Sequence, residues 1–141
     1  MKRKASAEWN GNLKDGKGYI STESGVLAKT QYSFGTRFES GIGTNPEELV
    51  AAAHAACFSM QLSALLGQAG LVPDQIATTA VVTIENPDQG WTVTESHLEV
   101  NASVPGANPE SFAKLAEDAK TGCLMSRLLK TSVTMNAKLI T

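Results

Sequence analysis

The sequence predicts an α+β fold in which a curved sheet wraps a long central helix. Three observations carry that prediction. Residues 49–66 hold no charged side chain, and they follow Asn45-Pro46-Glu47-Glu48, which reads as a helix start. Residues 76–85 and 91–104 are rich in Val, Thr and Ile, which suit a pleated surface. Residues 132–140 place Val133, Met135, Ala137 and Leu139 on one face, as strand alternation does. A helix apolar on so many sides must be covered by other elements, most simply a sheet.

A chain of 141 residues suits one domain, here taken as 1–141, with a sizeable core. Twelve basic against 14 acidic residues leave a net charge of −2, and Lys2-Arg3-Lys4 reads as a solvated tip. Nucleic acid is therefore not an expected partner. The basic start lacks the apolar stretch of an export signal, so a cytoplasmic location is expected. The uncharged run 49–66 raises the question of a membrane span. It is alanine-rich and contains His54, Ser59, Gln61 and Ser63, so it reads as a soluble helix buried on most sides.

The elements follow in order. Residues 5–9 and 18–22 flank a turn-rich run and predict a hairpin. Residues 30–40 alternate Tyr32, Phe34 and Phe38 and read as extended, with Arg37 at the far end. Asn45 is the expected N-cap of the long helix, with Pro46 at its first position and Glu48 placed as in a capping box. That helix should run to about Gln68, with Gly70 near its end and Pro73 beyond. Residues 86–90 join the two long strands as a hairpin loop. Asn108-Pro109-Glu110 starts a second helix, ending near Gly122, with Phe112, Leu115, Ala116 and Ala119 at helical spacing. A short third helix starts near Cys123.

Two cysteines, Cys57 on the long helix and Cys123 just past Gly122, suggest a thiol redox site. Only the thiolate is nucleophilic, and an ordinary thiol titrates near pH 8.5, so the site needs an activator. Arg37 is the natural one, because a guanidinium is always charged and can hold a thiolate or a peroxide oxygen. Glu47 would fix the guanidinium plane or take a proton. Against this, an arginine and a glutamate are more often a surface pair, and Glu47 already suits a helix start. Glu47 and Cys57 lie ten residues apart, about 15 Å along a helix, so either the chain folds back through Arg37 or a second subunit supplies one partner, a hint of a site at a dimer interface.

His54 shares a helix face with Cys57, three residues on, as a cysteine hydrolase would require. A packed, hydrogen-bonded core or interface histidine is the commoner case. Cys57, Cys123 and His54 lack the close ligand spacing of a zinc site. His97 suggests nothing specific. Cys123 reads equally well as a small buried hydrophobe or as a resolving thiol, and the helix start after it would lower its pKa.

The sequence resembles the OsmC family of thiol peroxidases over nearly its whole length. The pieces that carry the likeness are Ser21-Thr22-Glu23-Ser24-Gly25-Val26-Leu27, Thr36-Arg37-Phe38-Glu39, Gly43-Thr44-Asn45-Pro46-Glu47-Glu48-Leu49, Ala52-Ala53-His54-Ala55-Ala56-Cys57-Phe58-Ser59-Met60 and Ala119-Lys120-Thr121-Gly122-Cys123. The Thr-Arg-Phe-Glu segment is similar to the osmotically inducible branch rather than the organic hydroperoxide resistance branch. The resemblance implies curved antiparallel sheets around two central helices in an intertwined homodimer, with sites at the subunit interface. It implies a peroxidatic Cys57, a resolving Cys123, an activating Arg37 and a carboxylate partner Glu47. It also implies reduction of organic hydroperoxides, and more weakly hydrogen peroxide, in oxidative or osmotic stress defence. An external dithiol, for which lipoyl-type dithiols are one class, would restore the thiols, with no cofactor or metal. Leu124 departs from the proline the family often has after the second cysteine. A thiol redox sensor or ligand-binding protein on the same scaffold is the alternative function.

Overall fold

The computed structural model describes residues 1–88 and 90–140. Gln89, in the expected loop 86–90, lies outside the described residues. Contacts gather into two compact units, Met1–Leu49 and Val50–Thr141.

The first unit holds an antiparallel sheet of order β1-β2-β3, built from β1 (Ala5–Asn10), β2 (Lys17–Thr22) and β3 (Thr30–Tyr32). Gly18 faces Trp9 on one side and Tyr32 on the other. A methyl group at Gly18 would collide with both rings, which lie 5.5 Å apart between centroids. Glycine is therefore needed there for close approach.

Residues 30–40 are not extended throughout, as expected from their alternation. The strand stops at Tyr32, and Phe34–Phe38 forms a helical turn, α1. The cause is local chemistry. Ser33 Oγ accepts from the Thr36 N–H at 3.2 Å, and Thr36 Oγ1 accepts from the Ser33 N–H at 2.8 Å. This reciprocal cap satisfies two backbone donors at a helix start. It also brings Phe34 and Phe38 together at 5.0 Å, as i,i+4 neighbours.

Helix α2 (Pro46–Gln68) starts at the end of the first unit and continues into the second. Asn45 Oδ1 accepts from the Glu48 N–H at 2.7 Å. The Glu48 carboxylate accepts from Thr44 Oγ1 at 2.8 Å, so the expected capping box is made in one direction only. The helix ends with Gly70 at a φ of +76° and with the Leu71 N–H on the Leu66 carbonyl at 2.9 Å. A left-handed glycine there lets the chain reverse without a side-chain clash.

The second unit holds β4 (Gln75–Glu85), β5 (Thr92–Ser103) and β6 (Ser132–Leu139) in that order. β4 and β5 pair antiparallel, but β5 and β6 pair parallel. The expectation of antiparallel sheets is corrected here. Helices α3 (Pro109–Gly122) and α4 (Leu124–Leu128) intervene between β5 and β6 and supply the long crossover that a parallel pair requires.

The core is a single cluster in which Phe58, Leu62 and Leu66 meet Leu98, Val100, Phe112 and Ala116. Val133, Met135, Ala137 and Leu139 pack against it from β6, on the face the alternation predicts. Helix α2 is not buried on most sides. Its buried residues are His54, Phe58, Leu62 and Leu66, one i,i+4 row. Ala53, Ala56, Met60 and Ala64 lie exposed on it. By length and hydropathy α2 would also pass for a membrane span, but its buried row is one side of a protein core.

Candidate active site

Arg37 sits in the single turn of α1, fixed by the Ser33–Thr36 cap. Glu47 sits in the first turn of α2. Asn45 Nδ2 donates to the Thr36 carbonyl at 3.1 Å and so ties the start of α2 to α1. The two charged side chains meet in a two-pronged geometry. Arg37 Nε donates to Glu47 Oε1 and Oε2 at 3.1 and 3.2 Å, and Nη2 donates to Oε1 at 2.7 Å. Such a fork holds the guanidinium plane as well as its charge. The guanidinium carbon also lies 5.1 Å from the centre of the Phe38 ring, a cation–π distance. Arg37 borders an apolar cavity of about 260 Å³ within the first unit, lined by Trp9, Leu13, Tyr32, Phe34 and Phe38.

Cys57 and Cys123 belong to the second unit. Cys57 is half-buried on α2, and Cys123 is fully buried between α3 and α4. Both are free thiols, and Cys57 packs against the buried cluster that includes Cys123, near enough to act on its pKa. They lie 66 positions apart in the sequence, so the fold alone creates this pair. The Cys123 pKa is raised overall, not lowered as the helix start after it suggested. Burial pushes the thiol up first, and the neighbouring Cys57 adds to it. The Ser126 and Met125 N–H groups of the following turn offset this only in part.

His54 is buried, and both its ring nitrogens are occupied by hydroxyls. Nδ1 lies 2.6 Å from Ser96 Oγ on β5, and Nε2 lies 2.8 Å from Ser126 Oγ on α4. It is a core histidine, hydrogen-bonded away from Cys57, and the Cys–His hydrolase geometry is not formed. Burial holds its imidazole below the ordinary titration range. Ser96 and Ser126 carried no signal in the sequence, because a lone serine in a strand or short helix is ordinary. His97 lies on β5 and pairs with Glu99 at 2.7 Å.

The structure thus brings Arg37 to Glu47 in one unit and Cys57 to Cys123 in the other. Comparison with known proteins then identifies the family. The model of the OsmC family, described as OsmC-like protein, matches residues 39–138, which include Glu47, Cys57 and Cys123. The chain is 48% identical over 137 residues to Peroxiredoxin OsmC of Escherichia coli K12, covering 97% of this chain and 96% of that one. The Shigella flexneri protein of the same name matches equally. Among solved structures, an OsmC-like protein from Mycoplasma pneumoniae superposes with a TM-score of 0.79 at 13% identity, covering 100% of this chain and 99% of that one. The organic hydroperoxide resistance protein OhrB of Bacillus subtilis superposes with a TM-score of 0.71 at 24% identity, covering 96% and 97%. These distant structures establish the α+β fold, and the sequence match establishes the rest: the chain belongs to the OsmC-like protein family.

Proposed function

We propose that this chain is a cysteine-based peroxidase that reduces organic hydroperoxides and, more weakly, hydrogen peroxide. The observation that carries the reading is the packing of Cys57 against the core cluster that holds Cys123, in a chain nearly half identical to a peroxiredoxin. Cys57, the more accessible thiol, attacks the outer peroxide oxygen as its thiolate. The O–O bond breaks, an alcohol or water leaves, and Cys57 becomes a sulfenic acid. Cys123 attacks the Cys57 sulfur, an S–S bond forms, and water departs. An external dithiol, for which lipoyl-type dithiols are one class, then reduces the disulfide through a mixed disulfide.

In this reading Arg37 supplies the fixed positive charge that favours the thiolate and holds the peroxide, and Glu47 aims it. The apolar cavity bordering Arg37 supports a hydrocarbon-bearing peroxide over hydrogen peroxide. The reading takes residues 1–141 as one OsmC-like domain that forms an intertwined homodimer in the cytoplasm. The exposed apolar row Ala53, Ala56, Met60 and Ala64 on α2 supports a dimer, since such a face is usually covered.

The test is a peroxidase assay comparing a bulky alkyl hydroperoxide with hydrogen peroxide, run with several dithiols. Many equivalents consumed per protein, with the alkyl hydroperoxide faster, are expected. One equivalent and no turnover with any dithiol would point instead to a redox sensor.

A further inference from the structure

The peroxide chemistry above leaves one group of polar side chains in the second unit without a task. His54 is fully buried, and so is Ser96. Placing an imidazole and a hydroxyl in an apolar interior is costly unless each polar atom finds a partner. Here each does. The ring bridges Ser96 on β5 to Ser126 on α4, at 2.6 and 2.8 Å. A hydroxyl can donate or accept, so either neutral tautomer fits. An apolar side chain would fill the same space at less cost. What it would not do is fix where α4 lies.

Helix α4 needs such an anchor. It has five residues, too few to hold a helix by its own propensity. None of them is buried, Leu124 and Leu128 are 62% and 69% exposed, and no side chain caps its start. Yet Cys123 is its N-cap residue. Ser126 stands at this junction. Its hydroxyl meets His54, and it lies in the turn that starts at Cys123, whose carbonyl accepts from the Arg127 N–H at 3.0 Å. His54 and Cys57 lie three residues apart on α2, about 4.5 Å of axial rise, so one rigid helix carries both the anchor of α4 and the partner of Cys123.

We propose that His54 is a positioning residue: through Ser126 it clamps α4 to α2 and thereby holds Cys123 against Cys57 for disulfide closure. This rests on the peroxidase reading for the origin of the sulfenic acid. In that step Cys123 releases its proton and attacks the Cys57 sulfur as the thiolate, the S–O bond breaks, and the departing hydroxide takes up that proton as water. Closure from a mixed disulfide needs the same placement. There Cys123 displaces a small thiol from Cys57, and that thiol leaves with the proton. The clamp acts on the effective concentration of Cys123, not on the reactivity of Cys57.

Ser126→Ala is the direct test, because Ser126 is only half-buried and its loss leaves the α2 core row intact. Two measurements are made on the folded protein. In a glutathione redox buffer, with no peroxide, the Cys57–Cys123 disulfide should form about tenfold less favourably than in the wild type, an upward shift of about 30 mV in potential. With an alkyl hydroperoxide, Cys57 should be oxidised at the wild-type rate while closure slows about tenfold, so that more dimedone adduct is trapped on Cys57. Ser126→Thr keeps the hydroxyl and should restore both. Ser96→Ala loosens the ring from its other side and should reproduce the split in smaller measure.

A wild-type potential in Ser126→Ala would overturn the proposal. So would equal losses in Ser126→Ala and Ser126→Thr, which would assign the effect to packing alone. A wild-type protein that forms the disulfide in glutathione but ignores hydroperoxides would remove the peroxidase reading and leave the clamp to stand on its potentials.

Discussion

In the first unit Arg37 and Glu47 meet as full charges, with the Arg37 side chain 40% exposed. In the second unit His54 meets two neutral hydroxyls with no exposure at all. Water screens the first pair, so it adds about 1 kcal/mol or less to stability. Nothing screens the second group, so it must be neutral and complete, and an orphaned partner would cost about 1–3 kcal/mol. The difference teaches where each group has its effect. The charged pair is free to act on reactivity, and the neutral network acts on structure.

The largest expected effect lies outside both. Cys57→Ser should reduce peroxide consumption to background, because a hydroxyl is a far weaker nucleophile than a thiolate. A hydroperoxide assay with excess dithiol checks this, and substantial residual turnover would remove the peroxidatic role. Next in size is the core that carries Cys57. Phe58→Ala should lower stability by about 3–5 kcal/mol, through lost burial and an unfilled cavity. Urea unfolding monitored by circular dichroism reads it directly.

Arg37→Ala sharpens the contrast between the units. It should change stability by about 1 kcal/mol or less, yet slow the reaction of Cys57 with an alkyl hydroperoxide about tenfold, or about 1.4 kcal/mol. Arg37→Lys should recover only part, since an ammonium lacks the planar fork, and Glu47→Gln should be milder. The single-turnover rates are measured in a Cys123→Ser background. Coincident rates would reduce the candidate site to the cysteine pair.

The smallest effect concerns His54. The unfolded chain protonates it near pH 6.5, whereas the folded chain keeps it neutral to lower pH. The unfolded state therefore binds more protons below pH 6.5, and stability should fall as pH drops through that point. The slope is at most about 1.4 kcal/mol per pH unit. Urea midpoints between pH 7.5 and 5 should show this slope in the wild type and a flatter one in His54→Gln, with His97 common to both. Equal slopes would mean that His54 is freely protonated in the fold.

The elements with strong local signals were legible in the sequence. Asn45-Pro46 and Asn108-Pro109 start helices, and Gly70 ends one, because caps and φ preferences act over a few residues. The turn Phe34–Phe38 was missed because aromatic alternation outweighed the Ser33-x-x-Thr36 signal that also stood in the sequence. The parallel pairing of β6 was not legible, since strand patterns are the same in either direction. Nor was the exposed side of α2, because alanine leaves no contrast between covered and open faces. Cys57 and Cys123 stood out by residue type. The His54 partners Ser96 and Ser126 did not, because a serine acquires a role only from what the fold places beside it.

The most direct measurement is intact mass after one equivalent of an alkyl hydroperoxide, on the wild type and on Cys123→Ser. The wild type should lose two hydrogen atoms, the mark of a Cys57–Cys123 disulfide, and Cys123→Ser should gain one oxygen atom, the mark of a trapped sulfenic acid. An unchanged wild-type mass, or oxygen found on Cys123 with Cys57 untouched, would contradict the assignment of Cys57 as the residue that meets the peroxide.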